Sequence, residues 1–292
     1  MKSPGRRVAI LGHVRRPGVR RAAARLRQRL ARRGCIVGIE QALADEMGVP
    51  GEDLTALARG CHLLIALGGD GTALTGARAL AGRRGTLLPI NHGGLGFLTV
   101  AESRDLDAAV DAALAGAWPT VRRRLLKASV TRRGRTLRRG VAMNDAVIKG
   151  AGGYAALHLR MGALGHDLGH LVADGLIAAT AAGSTAYSLS AGGPVLDPDV
   201  EALVVTPVCA HSLGSRPLVL APGAELTVRL LGSFDQALLL LDGQEQFALE
   251  RNDRVTIRLG RATARIFTNP ARPFTRKLQA KLGWQGSARR SL

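Results

Sequence analysis

Five consecutive residues, Gly68-Gly69-Asp70-Gly71-Thr72, follow the apolar run Leu63-Leu64-Ile65-Ala66-Leu67 and precede the helix-compatible stretch Ala73-Leu74-Thr75-Gly76-Ala77. A strand, a glycine turn and a helix start in that order can hold a phosphate. Backbone N–H groups at a helix N-terminus point at an anion, and the glycines let it approach. Asp70 is the odd member, because a carboxylate repels phosphate. Its presence suggests a metal-bound phosphate or a proton to be removed. The same residues also suit an ordinary strand-to-helix turn with Asp70 as its cap. No Lys follows Gly71, so this is not the phosphate loop ending in Gly-Lys-Ser/Thr, and the spaced glycines of the dinucleotide fingerprint are missing too.

Further along, Asp174-Gly175-Leu176-Ile177 leads into a stretch of small residues and hydroxyls from Ala178 to Pro194, with Gly183-Ser184-Thr185-Ala186-Tyr187-Ser188-Leu189-Ser190 at its centre. Small residues admit close backbone approach, and hydroxyls bond ribose or phosphate oxygens. Tyr187 adds a ring for stacking. A tightly packed helix explains the same composition. Asn91-His92-Gly93-Gly94-Leu95-Gly96-Phe97 is either a ligand-facing loop or a structural turn. Asn144-Asp145 pairs an amide with a carboxylate, which matches a diol, and also suits a capped turn. His166-Asp167-Leu168-Gly169-His170 mimics the spacing of helical zinc sites, but Gly165 and Gly169 work against the helix that such a site needs. A polar hairpin loop is the better expectation, and no metal-ligating residue is assigned.

The elements that must position these groups alternate at first. Arg7–Leu11, Cys35–Ile39, Leu63–Leu67 and Leu87–Ile90 suit strands. Residues 20–33, with Ala22, Leu26 and Leu30 on one stripe, suit a surface helix. Leu74, Ala77 and Ala81 mark a second helix, and Ser103 is placed to cap a third, with stripe Leu106, Val110 and Ala113. The expectation for 1–118 is an α/β domain, a parallel sheet flanked by helices, carrying the glycine–aspartate motif near the strand C-termini, where such sheets bind ligands. From Pro119 short runs are split by turn signals at Arg133-Gly134, Gly152-Gly153, Pro222-Gly223, Asp242-Gly243 and Asn252-Asp253. That predicts an all-β, sandwich-like domain over 119–268. The segment 269–292 is expected to pack back on the first domain.

Composition narrows the class. The 292 residues carry 41 Lys and Arg against 22 Asp and Glu, a formal net charge of +19. No acidic residue precedes Glu40, and a second basic stretch runs from Arg122 to Arg139. Nucleic acid, polyanionic nucleotides, or an arginine bias spread over solvated faces all fit that balance. Aromatics are 3% of the chain, and the basic stretches lack stacking platforms, which counts against single-strand binding. Cys35, Cys61 and Cys209 lack metal-ligand spacing and suggest buried, reduced thiols in a cytosol. No run of 18 apolar residues predicts a membrane span. The start is Arg-rich like a transit peptide, but Val8–Leu11 already suits the first strand, and no signal-peptide core is seen.

Together these residues resemble the NAD kinase family, over most of the chain. The resemblance rests on Gly68–Thr72, Asn91 with Leu95-Gly96-Phe97-Leu98, Asn144-Asp145 and the Asp174–Pro194 segment. Thr206-Pro207, His211-Ser212-Leu213, Arg216-Pro217-Leu218 and Asp242-Gly243-Gln244 complete it. The first motif is shared with diacylglycerol and sphingosine-type lipid kinases, whereas Gly183–Ser188 is much more specific. The resemblance implies phosphorylation of the 2′-hydroxyl of the adenosine ribose of NAD by ATP with a divalent metal, Mg²⁺ or Mn²⁺. It implies Asp70 as proton acceptor, and Gly68, Gly69, Gly71 and Thr72 on the ATP phosphates. Asn144 and Asp145 would hold the NAD ribose, and Asp174, Thr185, Ala186, Tyr187, Ser188, Leu189, Ser190 and Gln244 would line the NAD pocket. It further implies a cytoplasmic homodimer or homotetramer whose NAD pocket a neighbouring subunit completes, with no membrane and no specific nucleic acid as partner. The chain departs from the family with Ala181-Ala182 for Pro-Thr, Asp145 for Glu, and Val172 and Ala155 for polar residues. The alternatives are a soluble lipid kinase drawn to anionic membranes and a non-enzymatic nucleotide or nucleic-acid binding protein.

Overall fold

The structure, a computed structural model, describes residues 5–94, 96–152, 156–212, 214–232 and 237–283. Leu95, Gly153, Ala155, Leu213 and the 284–292 end of the C-terminal segment, all named above, lie outside the described residues. Contacts divide the chain into two units, 1–122 with 264–292, and 123–263. None of the helices among the described residues is long and apolar enough to cross a membrane.

In the first unit the order is β1 (Arg7–Gly12), α1 (Val19–Arg32), β2 (Ile36–Ile39), α2 (Gln41–Met47), α3 (Leu54–Gly60), β3 (Leu63–Gly68), α4 (Asp70–Ala79), β4 (Thr86–Asn91), β5 (Ala101–Glu102) and α5 (Leu106–Leu114). Strands β2, β1, β3 and β4 pair in parallel in that order, with Ile65 opposite Ile10 and Leu88. Both faces of this sheet are covered, so β3 and β4 are buried at every position. On α1 the stripe Val19, Ala22, Ala23, Leu26 and Leu30 faces the core, while Arg29 pairs with Asp107 and Asp111 on α5 and Arg33 with Asp111. Part of the N-terminal positive charge is thereby neutralised within the fold.

Several local expectations are corrected. Ser103 does not cap the third helix: Ser103–Asp105 forms a 3₁₀ turn, and α5 begins at Leu106 without a side-chain cap bond. Asp70 does not cap α4 either. The cap is Gly69, and Asp70 is the first helical residue. Helices α2 and α3, each seven residues long, have too little periodicity to stand out in the sequence, yet are started by Glu40 and Asp53, whose carboxylates accept backbone N–H groups. Of the cysteines only Cys61 is buried; Cys35 is half-buried and Cys209 exposed.

The second unit is antiparallel. It begins within β6 (Thr120–Arg132) and continues through β7 (Arg135–Ala142), β8 (Asp145–Gly150), β9 (Leu157–Ala163), β10 (His166–Ala173), β11 (Gly175–Thr180), the short helix α6 (Tyr187–Ser190), β12 (Leu203–Val208), β13 (Leu218–Leu220), β14 (Glu225–Leu231), β15 (Ala237–Leu241) and β16 (Glu245–Leu249) into β17 (Arg254–Phe267). One of its sheets has the order β13-β12-β11-β8-β15-β16, and β10, β9, β14, β17, β6 and β7 pair in the other. Leu126, Leu159, Val228 and Ile257 from the second meet Ile148, Leu176, Val205 and Leu239 from the first in one buried core. Period-two alternation explains β11: Leu176 and Ala178 enter that core, whereas Ile177 and Ala179 face a smaller cluster with Val147 and Val204. The segment Asp174–Pro194 is thus a strand, a 3₁₀ turn at Ala182–Thr185 and one short helix, not a single packed helix. His166 and His170 both lie on β10, after the turn at Leu164-Gly165. The last residues of β17, Arg265 and Ile266, pair in parallel with Thr86 and Leu87 of β4 in the first unit's sheet. A C-terminal helix, α7 (Phe274–Leu282), follows.

Candidate functional site

In the first unit the glycine turn sits where β3 ends and α4 begins, beyond the strand C-termini. Asp70 turns away from its own helix end. Its Oδ2 accepts the Phe97 N–H at 2.8 Å, and its Oδ1 accepts those of Leu98 at 3.1 Å and Thr99 at 3.3 Å. An ionised carboxylate offers about four lone-pair positions, so one position on Oδ2 is left for a proton or ligand. Gly96 completes the cradle: a Cβ there would collide with Asp70 Oδ1. The Thr99 hydroxyl accepts the Gly96 N–H at 3.2 Å, closing the loop on itself. Gly71 is exposed and Gly69 half-buried, whereas Thr72 is 8% exposed and packs against Gly68.

Arg16, which the sequence did not single out among its many arginines, lies against this turn. Its Nη1 donates to His92 O at 3.0 Å, and a Cβ on Gly69 would come within 2.9 Å of Nη2. Its guanidinium therefore covers Gly69, with Nε and Nη2 making no hydrogen bond among the described residues. The imidazole of His92 is held below its usual range by burial and by the charges of Arg16 and Arg25. Asn91 is buried with Oδ1 unpartnered among the described residues, while its Nδ2 donates to Gly94 O.

The second unit gathers Asn144, Asp145 and Tyr187. The Asp242 carboxylate accepts the N–H groups of Met143 at 2.9 Å, Asn144 at 2.7 Å and Asp145 at 3.2 Å, and the Asp242 N–H returns to Asp145 O at 2.9 Å. Thr180 closes the other side: its hydroxyl donates to Met143 O at 2.8 Å and accepts the Gly183 N–H at 3.0 Å. Gly183 is required there, since a Cβ would run into the Asn144 backbone. Asp145 is buried, and its carboxyl is pushed up to about 7, first by desolvation and then by the neighbouring Asp242 charge, against a backbone hydrogen bond from Tyr187. The Asn144 side-chain oxygen is buried without a partner among the described residues. A buried acceptor without a partner, beside an acid of shifted pKa, is an arrangement able to receive a polar ligand.

The remaining named residues divide. Tyr187 is 44% exposed, Ser190 exposed, and Thr185, Ala186 and Leu189 half-buried. Ser188 is fully buried, and its hydroxyl pairs with Thr206 Oγ1 at 2.8 Å, so it holds the corner rather than facing outward. Gln244 is exposed in the turn that follows Asp242. Asp174 is exposed at the opposite end of β11 from Thr180, about 20 Å away along the strand. The organising residues Thr180 and Asp242 were visible in sequence only as members of longer motifs.

The description "ATP-NAD kinase N-terminal domain" matches residues 8–118, and "ATP-NAD kinase C-terminal domain" matches 143–268. NAD kinase 2 of Streptomyces coelicolor is 36% identical, covering 97% of each chain. The NAD kinase of Geobacter metallireducens is 35% identical over 96% of this chain and 99% of that protein. Among solved structures, yeast NADH kinase complexed with NADH superposes with a TM-score of 0.91 at 24% identity, covering 100% of this chain and 91% of that one. An NAD kinase from Archaeoglobus fulgidus in complex with ATP gives 0.75 at 23% identity, covering 96% and 100%. The two structures show the fold, and the matches to both family domains and to the curated relatives show that the chain belongs to the NAD kinase family.

Proposed function

We propose that this protein transfers the γ-phosphate of ATP to the 2′-hydroxyl of the adenosine ribose of NAD, forming NADP and ADP. The observation that carries the reading is the grip on Asp70: three amides hold its carboxylate and leave one Oδ2 position for the hydroxyl proton. In this reading Asp70 takes that proton as the ribose oxygen bonds to phosphorus and the bond to the ADP oxygen breaks. Gly69 and Gly71 offer backbone N–H groups to the phosphates just past Gly68, whose own peptide is held in the ladder with β4, while Arg16 adds a cation beside them and Thr72 braces the turn. A Mg²⁺ or Mn²⁺ ion would enter with the nucleotide, held by its phosphate oxygens. Bound there, the cation neutralises phosphate charge.

Asn144 and Asp145 are assigned to the NAD ribose diol, with Thr185, Ala186, Tyr187, Leu189, Ser190 and Gln244 around the dinucleotide and Ser188 bracing that segment from behind. The distance of Asp174 from Asn144 along β11 supports a role at another part of the dinucleotide or toward a neighbouring subunit, in a cytoplasmic homodimer or homotetramer. Family membership favours this reading over the soluble lipid kinase. The test is a coupled assay for NADP with ATP, Mg²⁺ and either NAD or NADH. Product from NAD is expected, and the absence of product from both, with folded protein, would overturn the reading.

A further inference from the structure

The loop that grips Asp70 is itself held from behind. Lys277, on α7, donates from Nζ to Phe97 O and to Thr99 O, each at 2.8 Å. Lysine is rarely buried, and this one is only 8% exposed, so its charge must be met by strong acceptors. The acceptors are carbonyls of the same short stretch whose N–H groups face the Asp70 carboxylate. The Phe97–Leu98 peptide, whose carbonyl accepts from Lys277 and whose N–H donates to Asp70, therefore lies between an ammonium group and a carboxylate, and the second bond, to Thr99 O, holds the far end of the stretch. Bonds linked in this way polarise one another in a low dielectric, and neither partner of the loop can shift without the other. Two ring contacts fasten α7 to the same loop: Phe97 and Phe274 have centroids 6.3 Å apart, and Lys281 Nζ lies 5.0 Å from the Phe97 ring centre.

We propose that Lys277 is a positioning residue for the phosphoryl transfer, acting through the Phe97–Thr99 loop to aim the Asp70 carboxylate. The proposal rests on the reading of Asp70 as proton acceptor. A purely structural role, pinning the C-terminal segment to the fold, makes a different forecast, and Arg272 separates the two. Arg272 ties that segment down through Glu102 at 2.8 Å and Asp105 at 3.1 Å, and among the described residues no side-chain bond links it to Phe97, Leu98 or Thr99.

The experiment compares Lys277→Met, Lys277→Arg and Arg272→Met in the full chain. It reads kcat, KM for NAD, thermal midpoint and hydrogen exchange at the amides of Phe97, Leu98 and Thr99. For Lys277→Met a fall in kcat of about 10-fold or more is expected, with KM for NAD within about 2-fold, since misaiming a reacting group costs turnover. Its three loop amides should exchange about 10-fold faster, Lys277→Arg should recover part of the loss, and Arg272→Met should keep both kcat and loop exchange. Wild-type kcat in Lys277→Met, or an equal loss in Arg272→Met that tracks the thermal midpoint, overturns the proposal. Should the wild-type chain form no NADP at all, the functional reading fails instead, and the exchange rates alone decide whether Lys277 secures the grip on Asp70.

Discussion

Gly96 passes so close to Asp70 that a single methyl group on its Cα would overlap the Asp70 Oδ1 atom. The two residues are 26 positions apart and in different elements, and the contact leaves the carboxylate one place to go. Gly96→Ala should therefore push Asp70 off its three amides while the surrounding sheet persists. A displacement near 1 Å is expected to lower kcat by about 100-fold. Steady-state kinetics beside a thermal melt would check this, and full turnover in a variant with an unchanged midpoint would contradict it.

Asp70→Asn replaces an acceptor-only group with one that has a single acceptor oxygen. One side-chain oxygen cannot satisfy Phe97, Leu98 and Thr99 together, so the loop should loosen as well as the base being lost. NADP formation should drop by roughly 100- to 10,000-fold, the span that a general base contributes. Binding of NAD to the second unit's cluster should survive, and titration calorimetry with NAD would show it.

Arg16→Gln removes a charge beside Gly69 while keeping a polar side chain. A charge-assisted hydrogen bond contributes about 1.5–3 kcal/mol, so KM for ATP should rise about 10-fold or more. KM for NAD should change little. Equal changes in both constants would place Arg16 in the scaffold instead of on the phosphates.

Asp145 sets a pH dependence whose sign follows from its environment. Its carboxyl is raised from 3.8 to about 7 in the folded protein. Between those values the native state keeps a proton that the unfolded chain has released. Stability from this group is full below pH 3.8, falls as pH rises and levels off above about 7, with a slope of up to about 1.4 kcal/mol per pH unit. Asp145→Asn should abolish that slope, so the variant gains on the wild type from acid to neutral pH in thermal melts. KM for NAD should also vary across about pH 6 to 8 in the wild type and be flat in the variant.

The amino-acid order alone determined much of this protein. The apolar run before Gly68 is a buried parallel strand because both faces of the sheet are covered, and such strands are apolar at every position. Three of the turn pairs past Pro119, at Arg133-Gly134, Asp242-Gly243 and Asn252-Asp253, punctuate antiparallel strands because Arg133, Asp242 and Asn252 take positive φ there. Asp70, Asn144 and Asp145 stood out by residue type and by their place after apolar steps. Their surroundings did not, since these are assembled by contacts between distant positions. Asp70 meets residues 97–99, Lys277 reaches those same residues from the C-terminal helix, and Asp242 binds three amides about a hundred positions upstream. Arg16 was hidden by abundance, as one arginine among many on a basic surface. Local propensity is written in neighbouring residues, whereas the orientation of a carboxylate and the shifted pKa of Asp145 depend on burial and on charges that only the tertiary fold brings within reach.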